Sequence, residues 1–481
     1  MAPIENADFP RMNGCLDSTQ PGPHDSRHSG KHFGASGPPN PSGFTLRHQL
    51  CYNAPDQLIT NMEVPYNSGA KLIPDFARQE ERFSSAFSIV RHAIAQHSFP
   101  AASVAITQNA SLIALKAFGN FVYQSDATGA PSLSRSLRQG GDFEVTSSTL
   151  FDLASLTKVL ATTIMAAILY ERGLLDLDAP ISGTVPEFLD HSNAPPDPRR
   201  RNVTFSMLLA HSSGLPAYEK LFLRCPSRDQ LLHAAFTTAL TADPATRAEY
   251  SDIGFMILGV ALERISEEPL DHFCQREIFG PLAMAHTTFN PPPNQRPNIP
   301  PTADEREQSS GESGADTPVP EHSTFRNRII QGEVQDENAF VLGGVAGHAG
   351  LFSTAADLAR FAHALLQCGA GAPAREAPTA QLPILRPETI ALFTQRQSEP
   401  PKTSRALGWD TPSAPSQSGK YFGPRSFGHL GYTGTSLWID PDRQLSITLL
   451  TNRTWPDCGN QAIKQVRPRF HDAVIEALES L

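Results

Sequence analysis

The sequence predicts a mixed α/β (α+β) fold, an antiparallel sheet flanked by the two terminal helices, with a mostly helical region inserted between the halves of the sheet. Three observations carry this. Strand-like runs gather at both ends of the chain, "ASVAIT" (102–107) and "LIALKAFG" (112–119) near one, "SLWID" (436–440) and "QLSITLLTN" (444–452) near the other, each with apolar residues at strand spacing. The stretch between, about 151–400, reads mostly as helices and long loops. Each end also carries an amphipathic helix, whose apolar stripe must lie on another element.

In chain order, residues 1–75 are rich in Pro, Gly, Ser, His and Asn ("QPGPHDSRHSGKHFGASGPPNPSG"). They cannot bury enough apolar surface to offset the entropy of ordering, so disorder is expected. "DFARQEERFSSAFSIVRHAIAQH" (75–97) is the first helix, with Phe83, Phe87, Ile89, Val90 and Ile94 near helical spacing. The first pair of strands follows. The sheet part should span about 76–150 and 400–481, and the helical part about 151–400. Flexible insertions are expected at 300–323 ("PPTADEREQSSGESGADTPVPEHS") and 369–383. The second pair of strands turns at "PDR" (441–443), and the last segment, 461–481, reads as an amphipathic helix interrupted near Pro468.

The chain has 481 residues, 40% of them hydrophobic, and a formal net charge of −10. An acidic surface repels phosphate backbones and anionic lipid, which argues against nucleic-acid and membrane-surface roles. No run approaches ~18 apolar residues, so no integral membrane segment is expected. The start "MAPIENADFPRMNGC" lacks the basic and apolar segments of an export signal. A cytoplasmic protein is therefore the expectation, or a periplasmic one if the true start lies elsewhere. The six cysteines, Cys15, Cys51, Cys225, Cys274, Cys368 and Cys458, are scattered without metal-ligand spacing.

Chemistry concentrates in three places. In "FDLASLTKVL" (151–160), Lys158 follows Ser155 by three residues and leads into eleven residues without a charge, "VLATTIMAAIL" (159–169). Lysine is almost never fully buried unless paired. Residues three apart on a helix share a face, with Cβ atoms about 5–6 Å apart, so the amine can reach the Ser155 hydroxyl. A serine needs a neighbouring base to become a nucleophile, and a desolvated lysine can lose its proton near neutrality. A helix start also offers free N–H groups to an oxyanion.

The second place is Tyr250-Ser251-Asp252, which leads into "IGFMILGVALERI" (253–265). Alone it reads as a helix cap by Ser251 or Asp252 with Tyr250 packing beside it. Near an ammonium, the tyrosine becomes a candidate general base. The third is "FGHLGYTGTSLWIDP" (427–441), where Gly428, Gly431 and Gly434 let something approach a strand backbone closely. A fourth cluster, "AHSSG" (210–214), superficially matches a nucleophile elbow. The elbow needs a strand before it and a helix after, whereas "FSMLLA" before it is helix-like, so Ser212 and Ser213 read as a helix-ending turn.

In this order and spacing, the three clusters resemble the serine β-lactamase and penicillin-binding protein superfamily. They are most similar to its class C-like serine hydrolase branch, which includes D-alanyl-D-alanine carboxypeptidases and esterases. The S-x-x-K box falls on Ser155-Leu156-Thr157-Lys158, the Y-x-N box on Tyr250-Ser251-Asp252 and the K-T-G box on His429-Leu430-Gly431. The likeness extends to "MLLAHSSGLPAY" (207–218), "GGVAGHAGLFSTAADLARF" (343–361) and "LGWD" (407–410), about 80–475 in all. It implies one β-lactamase/transpeptidase-like domain over 76–481. It also implies a metal-independent serine hydrolase without a cofactor, acting through an acyl-enzyme. Ser155 would attack the carbonyl, Lys158 and Tyr250 would share the proton work, and the backbone N–H groups of Ser155 and Tyr432 would form the oxyanion hole.

The boxes also depart from the pattern. Asp252 stands where asparagine is usual and should hold Lys158 protonated, against burial. That would make Tyr250 the better base, kept acidic by the ammonium. His429 replaces a lysine, and Leu430 a hydroxyl residue that helps to hold a substrate carboxylate in β-lactam-binding relatives. These changes favour an ester or amide without a neighbouring free carboxylate, a muropeptide-derived amide among them. β-Lactamase or D-Ala-D-Ala carboxypeptidase activity, or a catalytically silent cell-wall-fragment binder, are the alternatives. Leu430, Asn338 and His348 are candidate substrate contacts, the last two flanking a Gly-rich loop near "VQDENA" (334–339). Nothing in the spacing of Asp336, Glu337 and His348 compels a metal site. The oligomeric state is not legible.

Overall fold

The strands of the computed structural model come from three parts of the chain. β1 (Ile73–Pro74), β2 (Ala101–Gln108) and β3 (Ser111–Gly119) lie near its start. β4 (Phe151–Asp152), β5 (Thr288–Phe289), β6 (Pro301–Asp304), β7 (Ile329–Gln331) and β8 (Leu351–Ser353) lie in its middle. β9 (Phe427–Leu430), β10 (Ser436–Asp440) and β11 (Leu445–Thr451) lie near its end. The structure describes residues 72–123, 144–190, 196–306, 325–369, 384–456 and 458–480, all within one compact unit, Glu63–Leu481.

The main sheet has six strands in the order β1-β3-β2-β11-β10-β9. The two ends of the chain meet at its centre, where β2 pairs antiparallel with β11 from Ala102–Thr451 to Gln108–Leu445. β2 is buried on both faces. Ala101 and Ala105 enter one core with Leu437, Ile439 and Leu450, while Ala102, Val104 and Ile106 enter the other with Trp438, Ile447 and Leu449. Period-two alternation between two apolar environments explains why the strand reads as nearly continuous apolar sequence.

One edge corrects two expectations. β1 pairs parallel with β3, Ile73 opposite Ser111, so the sheet is not wholly antiparallel and residues 73–74, expected in the tail, form a strand. Pro74 fits there because its neighbours carry the ladder, Ile73 N–H to Ala110 O at 3.0 Å and Asp75 N–H to Leu112 O at 2.9 Å. The rest of the expected tail, up to residue 71, lies outside the described residues.

Helices Ser84–Ala95 and Ile463–Glu479 pack together on the Trp438 face. The single helix expected over 75–97 is two, Gln79–Arg82 and Ser84–Ala95, broken at the fully buried Phe83. The final helix, by contrast, runs unbroken through Pro468. Proline removes the N–H that would bond Lys464 O, and Gln417 Nε2 bonds that carbonyl instead at 3.0 Å. Burial of Ile463, Val466, Phe470 and Val474 along one stripe sustains the rest.

The other face carries helix Ala355–Gly369 and the large central region. That region is mostly helical but also holds the small antiparallel sheet β4-β8-β5 and the β6–β7 pair. β6 and β7 bracket the insertion expected at 300–323. The base of this stretch is closed by a buried Glu305–Arg326 ion pair. Residues 307–324 and 370–383 lie outside the described residues. Among the described residues no helix is long and apolar enough to cross a membrane.

Candidate active site

Ser155 sits in a turn between β4 and the buried central helix. Asp152 shapes that turn: its Oδ1 accepts from Ala154 N–H at 2.8 Å and its Oδ2 from Gln335 N–H at 2.7 Å. Ala154 takes a left-handed φ of 47°, a strained conformation for a residue with a Cβ. Thr157 braces the turn from below, donating to Ala154 O at 2.7 Å and accepting from Leu351 N–H at 3.1 Å. Lys158 begins a π-helical turn, Lys158–Thr162, which passes into α-helix Thr163–Glu171. Ser155 is therefore just ahead of the helix and partly exposed, while everything from Leu156 to Leu169 is buried.

Burial pushes the Asp152 carboxyl up from its ordinary 3.8 to about 6, against the two N–H groups that favour its charge. Between those pH values the folded chain keeps a proton that the unfolded chain releases. The contribution of Asp152 to stability is therefore greatest below about pH 4 and falls as pH rises to 6, on the order of 2–3 kcal/mol. Asp152→Asn should remove this slope. Its urea midpoint relative to wild type is expected to rise from pH 4 to pH 6.5, and parallel curves would contradict the assignment.

Lys158 is completely buried, and its Nζ has three acceptors: Asp252 Oδ1 at 2.6 Å, Ser155 Oγ at 2.9 Å and His348 O at 2.9 Å. An ammonium has three protons to donate, so the geometry is that of a fully satisfied cation. Burial alone would lower its pKa, but Asp252 and Tyr250 outweigh it and the net shift is upward. A carboxylate at this distance favours the charged form of Lys158.

Tyr250 is presented by the cap of helix Asp252–Ser266. Ser251 is the N-cap, accepting from Gly254 N–H at 3.0 Å and donating to Pro216 O at 2.7 Å. Ser251 N–H donates to His211 Nδ1 at 3.0 Å and Asp252 N–H to Ala217 O at 2.8 Å. The cap is thus clamped to the turn after helix Phe205–Leu209, where Ser212 and Ser213 are buried as the helix-ending turn the sequence suggests. Around the Tyr250 ring lie His211 (4.7 Å between centroids), His429 (5.9 Å), Lys158 Nζ (4.9 Å) and the Arg405 guanidinium (5.4 Å). Burial pushes the phenol's pKa up, and Lys158 recovers only part of that. This corrects the expectation of an acidic tyrosine: the resting pair is ammonium and neutral phenol.

β9 is the sheet edge nearest these groups. His429 is buried and pushed well below the ordinary imidazole range, first by burial, then by Lys158 and Arg405. It is neutral, with Nδ1–H toward Leu430 O at 2.8 Å, and supplies no cation in place of the expected lysine. Gly428 bonds outward to Asp410 through both its N–H and its C=O, each at 2.9 Å. By strand alternation Leu430 then faces outward too. Beyond it, Gly431 has no room for a side chain, since a Cβ would collide with Thr435 Oγ1 and Leu153 O. Thr433 and Thr435 hydroxyls tie the next turn to Asp152 O (2.7 Å) and Leu153 O (3.1 Å). Arg467, also buried, donates to Gly431 O, Gly434 O and Thr435 O. Among the described residues the N–H groups of Ser155 and Tyr432 have no acceptor, a condition that an oxyanion hole requires.

Two expected substrate contacts lie elsewhere. Asn338 is fully buried and latches two segments, accepting from Phe222 N–H at 3.0 Å and donating to Glu219 O at 2.9 Å. The His348 ring is buried against Asp336, Nε2 to Oδ1 at 2.9 Å, and only its carbonyl reaches the site, behind Lys158. Leu430 is half-buried on the outer edge of β9. Glu337, whose Oε2 accepts from Tyr218 at 3.5 Å, is pushed up to about 7, mainly by burial and then by Asp336. Asp152, His211 and Arg405 were not foreseen. Among the described residues no group of three or more His, Cys, Asp or Glu could hold a metal ion.

Comparison with known proteins fits this geometry. The profile of the family described as Beta-lactamase matches residues 86–467. The N-acetylmuramyl-L-alanine amidase of Bacillus subtilis (strain 168) is 31% identical over 375 residues, 74% of this chain and 77% of that one. Two solved structures share the fold. Simvastatin synthase (LovD) from Aspergillus terreus has a TM-score of 0.58 at 20% identity, covering 83% of this chain and 98% of that one. A penicillin-binding protein homolog from Caulobacter crescentus has a TM-score of 0.57 at 17% identity, covering 82% and 98%.

Proposed function

The chain belongs to the Beta-lactamase family and is a serine hydrolase, and from that premise we propose that Ser155 is its nucleophile and Tyr250 the group that moves the proton. The carrying observation is the saturated Lys158 ammonium. Against burial, Asp252 and Tyr250 raise the Lys158 pKa, and an ammonium has no lone pair with which to take a proton, so it is not the resting base. Its place is electrostatic. It orients Ser155 Oγ and stabilises the negative charge that develops there as the hydroxyl proton leaves.

In acylation, Ser155 Oγ attacks the carbonyl carbon and its proton passes to Tyr250 Oη. Tyr250 gives its own proton to the departing nitrogen or oxygen, so the phenol ends neutral. Deacylation reverses the order, with water attacking the ester carbon, its proton passing to Tyr250 and the phenol proton returning to Ser155. The carbonyl oxygen is received by the N–H groups of Ser155 and Tyr432. Each such donor is worth about 3 kcal/mol in related arrangements.

The substrate is a peptidoglycan-derived amide. Support comes from the amidase relative. A panel of N-acetylmuramyl-L-alanine, p-nitrophenyl esters and nitrocefin tests this, with Ser155→Ala as control. The muramyl amide should be cleaved with the highest kcat/KM and nitrocefin with the lowest. Rapid ester turnover with no amide cleavage would replace amidase by esterase. No turnover of any member would leave a binder of the same fold.

A further inference from the structure

We propose that His211 is the positioning residue of Tyr250: it fixes the peptide on either side of the tyrosine and holds the phenol where Ser155 can use it. This rests on the reading of Tyr250 as the proton carrier, and deepens it. His211 is 2% exposed. Substrate does not reach it, and its effect runs through Tyr250.

Three contacts carry the inference. His211 O accepts from Glu249 N–H at 2.8 Å, and His211 Nδ1 accepts from Ser251 N–H at 3.0 Å. The residue before Tyr250 and the residue after it are therefore bound to the same histidine. The imidazole also lies beside the phenol ring, 4.7 Å between centroids, and is backed by Phe255 at 5.0 Å. The histidine is itself anchored at the end of helix Phe205–Leu209, where its N–H donates to Leu208 O at 3.2 Å. Tyr250 is thus set against a buried helix end rather than against its own loop.

The grip depends on the state of the ring. A backbone N–H can only donate, so Nδ1 presents its lone pair to Ser251 and the ring proton sits on Nε2. Burial first, then Arg405, Lys158 and His429, holds the imidazole well below its ordinary range, which keeps it neutral.

Stability alone does not account for this arrangement. The Nε2–H is buried without a partner among the described residues, and the His211 backbone takes a left-handed φ of 57°. Each of these costs free energy. Such strain persists where the surrounding structure over-determines it, and it gathers at functional sites. Ala154, which precedes the nucleophile, is strained in the same way.

The test is a double-variant cycle between His211 and Tyr250. His211→Phe keeps an aromatic ring beside the phenol and removes the acceptor. His211→Asn keeps an acceptor at the same branch of the side chain and tolerates the left-handed backbone. The readouts are kcat and KM on the best-turned-over member of the panel above, and the rate at which a fluorophosphonate labels Ser155. His211→Phe should lower kcat and the labelling rate by about tenfold to a hundredfold with little change in KM, as for a misplaced catalytic group. His211→Asn should recover part of that loss. In the Tyr250→Phe background, adding His211→Phe should change either rate by no more than about twofold, because the group it positions is already gone.

Equal losses from His211→Phe in both backgrounds would overturn the proposal, since the histidine would then serve the fold or Ser155 directly. A loss confined to KM, or none at all, would overturn it too. If His211→Phe does not fold, the same cycle with His211→Asn decides, with a loss expected only where Tyr250 is present. If Tyr250→Phe alone keeps full activity, the reading of Tyr250 has failed first, and the proposal falls with it.

Discussion

Lys158→Met should lower kcat/KM on any turned-over ester or amide by about a thousandfold or more, and destabilise the fold as well. The two effects have different origins and can be separated. Activity falls because the positive charge that receives the developing Ser155 alkoxide is gone. Stability falls because Asp252, His348 O and Ser155 Oγ lose their shared donor. Removing one partner of a buried ion pair costs about 3–5 kcal/mol, with the lower end apt because the Asp252 side chain is 17% exposed. Adding Asp252→Asn removes the stranded carboxylate, so the double variant should regain most of the stability and none of the activity. Urea unfolding and ester turnover on the three proteins check this. Activity within tenfold of wild type in the single variant would mean that the ammonium has no part in the chemistry.

Tyr250→Phe should cost about 10²–10⁴ in kcat, the range for loss of a positioned proton-transfer group, with little change in stability. The ring keeps its neighbours His211, His429, Lys158 and Arg405, so only the hydroxyl is lost. The effect should also depend on the leaving group. An activated phenolate departs without a proton, whereas an amine cannot, so amides should suffer more than p-nitrophenyl esters. An equal loss on both would place Tyr250 in the first proton transfer alone, and no loss would return the base role to Lys158.

The parts of this site that the sequence made legible are those where the relevant distance is local. Ser155 and Lys158 meet because they lie three residues apart across the turn that opens the helix, and Tyr250 heads a helix whose cap can be read from Ser251. The unforeseen residues meet through long-range packing. Arg405 reaches Tyr250 only because the Arg405–Asp410 bridge docks on β9, and His211 reaches it only because the Ser251 N–H seeks an acceptor. Asn338 and His348 were misjudged for a related reason. Polar residues near a glycine-rich loop look solvent-facing, but both are buried with partners that come from distant segments.

In the fold, the two-ended sheet was legible because its strands alternate. The errors were at punctuation. Pro468 was expected to break a helix that Gln417 repairs, and β1 is too short to show a period. The tyrosine's upward shift was likewise hidden, since whether burial or a neighbouring cation wins depends on depth, which composition does not carry.

An acylating probe reports directly on which residue is the nucleophile and on what its attack needs. Intact-protein and peptide mass spectrometry after brief exposure to a fluorophosphonate should give one adduct, on Ser155, in wild type. The labelling rate should fall at least a hundredfold in Tyr250→Phe. An adduct on another residue, or equal rates in the two proteins, would contradict the roles proposed for Ser155 and Tyr250.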